Sequence, residues 1–154
     1  MLTFSRKEKK QNLYREIPIL QIGKSNGAGN IYTEKSVNKI LEVFSNKGSL
    51  MGELVSDYTK DGNYVTTLSN VTHVIKHLFV EDGFLVAVVK FMDHQKGKDA
   101  IKILGEGLAI LRPTISGTVD SETHEIRVNN VMSVDLLPVE ERLIEKNIDW
   151  IKIR

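Results

Sequence analysis

Cysteine is absent from the 154 residues, which excludes disulfides and thiolate metal sites. Charge of one sign is also missing. With 21 Lys and Arg against 20 Asp and Glu, the formal balance is +1, so no global field recruits nucleic acid or anionic lipid. The one basic concentration, Arg6-Lys7-Glu8-Lys9-Lys10, reads as a solvated tail. No apolar run reaches the roughly 18 to 20 residues of a membrane helix, and the N-terminus lacks the apolar stretch of a signal peptide. The expectation is a soluble, cytosolic chain with no membrane partner and no nucleic-acid partner. Proline occurs only three times, and each of Pro18, Pro113 and Pro138 marks a strand edge or a strand end.

What is present is enough apolar residue to bury a core in one domain. Residues 1–12 read as a mobile N-terminal arm and 13–154 as a single domain. The centre of that domain is Ser69 to Val119. Val71, His73, Ile75, His77 and Phe79 follow a two-residue period, Glu81-Asp82-Gly83 supplies a turn, and Phe84 to Phe91 is a nearly unbroken β-forming run. Lys96 to Glu106 changes to a helical period, with Gly107 where a left-handed C-terminal residue belongs. Leu108 to Leu111 then returns as a strand.

Elsewhere, Arg15 to Ile22 reads as a strand held to an edge by Pro18. Lys24 to Asn30 is turn chemistry whose spacing fits neither a P-loop nor a dinucleotide fingerprint. Thr33 is a good N-cap for an amphipathic helix carrying Val37, Ile40, Leu41 and Phe44, ended at Lys47-Gly48. Leu50 to Val55 predicts a short strand in which Gly52 serves a bulge or a close neighbouring backbone, and Tyr64 to Leu68 a further one. Thr114 to Val119 and Glu125 to Val128 flank a turn at Asp120 to Thr123. In Val131 to Leu137, Met132, Val134 and Leu136 alternate against Ser133 and Asp135. Residues 139–147 have helical propensity and 148–153 the pattern of a terminal strand. The fold class is therefore α+β: a mainly antiparallel, barrel-like sheet with about three short helices.

The residues that could carry chemistry are few. His73 and His77 share a strand face in this reading but stand two pleats, about 13 Å, apart, too far to ligate one metal. His94 and His124 fall in turns. Among Ser56, Ser69, Ser116 and Ser133, none lies in a nucleophile elbow, although Ser116-Gly117 comes nearest. The paired acids Glu81-Asp82 and Glu140-Glu141 occupy turn or cap positions, where solvated charge is the ordinary outcome. No motif calls for a metal or other cofactor.

Taken in order, several stretches resemble the prohead maturation proteases of tailed bacteriophages, whose fold is similar to herpesvirus assemblin. They are NGAGNIYTEKSVNKILEVF from Asn26 to Phe44, Gly52-Glu53-Leu54, Asn70-Val71-Thr72-His73-Val74-Ile75, Gly97-Lys98 through Gly107, and VMSVDLLP from Val131 to Pro138. The resemblance implies the family's scaffold over residues 26–138 and a role in phage head assembly. The chain departs from the pattern where the family cuts. Ser56 stands in place of the family's catalytic histidine, and Pro113 or Thr114 falls near its nucleophile. A serine hydroxyl is no general base at neutral pH, and proline offers no nucleophile; losing both members removes most of a triad's rate enhancement.

The reading that follows is a non-catalytic head-assembly or virion protein, acting through contacts with phage head proteins or with itself, in the host cytoplasm during assembly or in the virion. Two others stand beside it. One is an active capsid-maturation serine endopeptidase with a rearranged site, Ser116 or Thr114 working with His73 as base. The other is a small pseudo-protease that regulates a viral or host protein.

Overall fold

A computed structural model describes residues 13–27, 29–54 and 68–138. Its elements are β1 (Tyr14–Gln21), α1 (Glu34–Lys47), β2 (Leu50–Gly52), β3 (His73–Glu81), β4 (Phe84–Phe91), α2 (Gln95–Gly105), β5 (Ala109–Val119) and β6 (Ile126–Pro138). The class is α+β with antiparallel sheets, but among the described residues no barrel closes. A four-stranded sheet in the order β1-β4-β3-β2 faces a separate two-stranded ribbon, β5-β6. Two helices lie among the described residues. The expected arm at 1–12, the helix at 139–147 and the strand at 148–153 lie outside them, as does the strand expected at 64–68 except for Leu68, which is in a turn.

The β3-β4 hairpin forms about Asp82 and Gly83, both at positive φ, as the turn composition requires. Its alternation breaks where no local pattern marks it. The register slips between Ile75 and His77, so Lys76 is an extra residue and every later side chain changes face. Leu78 is consequently buried and His77 exposed, which corrects the expectation that His73 and His77 share a face.

A second correction concerns Pro113. It does not separate two strands but lies inside one, since β5 runs unbroken from Ala109 to Val119 and pairs with a single long β6. The Leu136 N–H points away from β5 to the Glu53 carbonyl at 3.0 Å. Two residues earlier, the Val134 carbonyl points to the same side. Val134 is the residue opposite Pro113, so the proline occupies a non-hydrogen-bonded position where its missing N–H costs the ladder nothing.

Helix α1 starts where Thr33 was expected to cap it. The Thr33 hydroxyl accepts from Ser36 N–H and the Ser36 hydroxyl accepts from Thr33 N–H, both at 3.1 Å. Gly48 ends the helix and Gly107 follows α2, both left-handed. Replacing Thr33 with alanine is expected to lower stability by about 1 kcal/mol, read from urea unfolding. The apolar face of α1 packs mainly on β6, and Lys47 Nζ donates to the Val131 carbonyl at 2.6 Å. One core runs through both sheets, from Ile19, Ile75, Leu85 and Phe91 to Leu111, Ile115, Val131 and Leu136.

At the tip of the β5-β6 hairpin, Asp120 Oδ1 accepts from Glu122 N–H at 2.8 Å and from Thr123 N–H at 2.9 Å. The Thr123 and Glu122 amides, in that order of weight, hold its carboxyl below the usual 3.8. A group whose folded pKa is lowered stabilises the fold above its unfolded value, and that contribution is lost as pH falls through the folded value. In a carboxylate NMR titration Asp120 is therefore expected to have its midpoint below 3.8, and Asp120→Asn should flatten the acid limb of stability in that window.

Candidate functional site

Among the described residues, the buried polar side chains other than Ser36 of the α1 cap gather at one place, the seam where β2, β3 and β6 meet. β2 supplies Gly52 and, just beyond it, Glu53; β3 opens on His73 after Thr72; β5 brings Thr114 and β6 brings Ser133 and Asp135. The strands join there because Leu136 N–H donates to the Glu53 carbonyl and Leu54 bridges Leu136 in parallel, so the short edge strand of one sheet continues onto the other.

His73 is fully buried. Its Nε2 lies 2.6 Å from the Val134 carbonyl and its Nδ1 lies 2.7 Å from Thr72 Oγ1. A carbonyl only accepts, so Nε2 must carry a hydrogen, leaving Nδ1 as the nitrogen turned towards the Thr72 hydroxyl. The ring also leans on Phe91, with centroids 5.6 Å apart. Gly52 is what lets this bond form: a Cβ there would lie 1.9 Å from the Val134 oxygen and 2.2 Å from His73 Nε2. The close approach expected of Gly52 is thus real, and the group that comes close is an imidazole bonded to a backbone carbonyl.

Asp135, 1% exposed, is the second hub. Its Oδ1 accepts from Glu53 N–H at 3.1 Å, and its Oδ2 accepts from the Ser133 hydroxyl at 2.7 Å and from the Thr114 hydroxyl in a short bond. One carboxylate therefore ties three segments together: the chain leaving β2, the middle of β5, and β6 itself. The sequence pattern had set Ser133 and Asp135 on a polar side opposite Val134 and Leu136. Both sides of β6 are in fact buried here, and the polar side is filled by these bonds.

The candidate catalytic residues fall as follows. Thr114 is buried with its hydroxyl on Asp135, and His73 is buried with its two nitrogens on Val134 and Thr72. Ser116 is half-buried on β5 opposite Asn130, just before a bulge. Pro113 is buried within β5, and Ser56 lies outside the described residues. His94 caps α2, accepting from Gly97 N–H at 3.1 Å, and His124 sits exposed in the hairpin turn at positive φ. No cluster of three or more His, Asp or Glu able to hold a metal occurs among the described residues.

The arrangement can be compared with known structures. Its fold is similar to that of the bacteriophage T4 capsid assembly protease, gp21. The two superpose with a TM-score of 0.62 at 15% sequence identity, covering 80% of each chain. That likeness supports the prohead-protease-like scaffold which the ordered motifs imply. No protein-family model and no curated protein matches the sequence.

Sequence reasoning passed over Thr72 and the joint role of Ser133 and Asp135. A signal was present in Val131 to Leu137: an acid and a serine inside an otherwise apolar run on a strand leave a polar pair that must find partners if both strand faces are covered.

Proposed function

We propose that this protein serves phage head assembly by binding rather than by cutting, on a scaffold shared with a capsid assembly protease. The observation that carries this reading is what the candidate groups are bonded to. The hydroxyl of Thr114 is spent on Asp135, and the hydrogen-bearing nitrogen of His73 on a backbone carbonyl. An attacking hydroxyl needs an imidazole lone pair within reach and an open path to a scissile carbonyl. Here the nitrogen able to accept faces Thr72 instead, inside the core. Pro113, at or beside the position that the family's motif gives to its nucleophile, contributes no attacking group. Such a seam supports stability, and leaves the surface as the part that engages head proteins.

The test is incubation of the purified chain with the capsid and scaffold proteins of its own phage, read by intact-mass spectrometry and by co-sedimentation with assembled particles. The expected result is unchanged masses together with recovery in the particle fraction. New fragments that vanish with Ser116→Ala or Thr114→Ala would establish the rearranged protease and end the binding reading.

A further inference from the structure

The four-stranded sheet has a second face. Register places Pro18, Val86 and Phe79 side by side across β1, β4 and β3, and Glu16, Val88 and His77 in the next row. None of these side chains joins the main core cluster, which takes the opposite face through Leu85, Ala87 and Val89. Val86 is nonetheless only 8% exposed, shielded within an apolar strip. Among the described residues, the α1 face packs into the core, and α2 meets β4 where its own Ala100 enters that core.

We infer that this outer face is the contact between two copies of the chain. Its charge pattern carries this: Glu16 lies on β1, and on β3 His77 adjoins the exposed Lys76 of the bulge. Neighbouring strands lie about 4.8 Å apart, so Glu16 and His77 stand at equal distances on either side of Val88. A two-fold axis lying in the interface along β4 exchanges the two flanks. It sets Glu16 of one copy over His77 of the other, twice, and sets Pro18 over Phe79. A carboxylate then meets a ring N–H, and an apolar residue meets an apolar one, as an isologous contact requires. Lys90, the charge on the outer side of β4, is drawn off the axis over the Tyr14 ring, 5.8 Å from its centroid. A partner with a uniformly acidic or basic surface would have to leave either Glu16 or His77 opposed by like charge or unpaired.

Three strands of about eight residues give a face at the small end of specific interfaces, so weak, reversible association is expected. Sedimentation velocity of the full chain from 1 to 300 µM is the experiment. The expected result is a concentration-dependent rise towards twice the monomer mass. Val88→Asp or Glu16→Arg should each weaken it at least tenfold, and Glu16→His combined with His77→Glu in one chain should restore it. Far-ultraviolet circular dichroism of each variant separates lost contact from lost fold, and Glu16, being exposed, leaves the core untouched. A monomer across the whole range, or a dimer indifferent to both Val88→Asp and Glu16→Arg, overturns the proposal. Either outcome is independent of whether the chain cleaves head proteins.

Discussion

Asp135→Ala is expected to remove about 4 kcal/mol of folding stability, a large share of the 5 to 15 kcal/mol that holds an ordinary domain together. The variant deletes the acceptor of three donors at once: the Glu53 N–H and the hydroxyls of Ser133 and Thr114. The hydroxyls can rotate towards other acceptors, but the amide cannot, and a buried donor left without a partner costs about 1 to 3 kcal/mol by itself. The cavity left by the carboxylate adds to that. With a urea dependence of about 2 kcal/mol per molar for a chain of this size, the unfolding midpoint should fall by roughly 2 M. Asp135→Asn is the informative companion. Its carboxamide oxygen can still accept from Glu53 N–H, while its NH2 meets two hydroxyls that must reverse, so about half the loss is expected. An alanine variant within 1 kcal/mol of the parent would show that the carboxylate does not tie the strands as described.

The second large effect is at Gly52. Alanine there places a methyl 1.9 Å from the Val134 oxygen and 2.2 Å from His73 Nε2, the two ends of one hydrogen bond 2.6 Å long. One end is backbone inside a paired strand and the other is a ring fixed by Thr72 and Phe91. Neither is a flexible tip that can swing aside. β2 must therefore move off β6, and the His73 bond must break. Overpacking of this kind costs about 3 kcal/mol or more once a buried carbonyl also loses its donor. The measurement is a lowered unfolding midpoint together with loss of the hydrogen-bonded Nε2–H resonance in a proton–nitrogen NMR spectrum of the imidazoles. Gly105→Ala is the control, because a Cβ at Gly105 meets nothing within 4 Å. That substitution, at the end of α2, should be neutral or slightly stabilising. Equal losses at both glycines would mean that close approach at the seam is not what Gly52 provides.

If both results hold, the seam is a structural fastening between the two sheets. The proposed contact between copies lies elsewhere, on the outer sheet face. The scaffold shared with the T4 capsid assembly protease and the chemistry performed on it are separable properties, since a fold hosts function through particular side chains.

Much of the architecture was legible locally. Thr33, Asp82-Gly83, Gly48 and Gly107 act within a few residues of themselves, so their chemistry determined the helix ends and the hairpin turn before any packing was known. Gly52 was legible as a point of close approach, though not what would approach it. The bulge at Lys76 was not legible. An inserted residue leaves composition and propensity unchanged and shows only against the partner strand, yet it moves His77 to the opposite face from the one its spacing implies. Pro113 misled for the same reason: whether its missing N–H matters depends on which side of β5 is paired.

The sequence by itself thus determined the class of the fold, the turns and caps, and the family likeness carried by the order of its motifs, because these depend on neighbours along the chain. Only the tertiary structure decided that no barrel closes among the described residues, that Asp135 bonds Thr114 and Glu53, and that His73 is tied to Val134. Those partners lie 21, 82 and 61 residues apart, and side chains so far separated are brought together only by the register of strands across the seam.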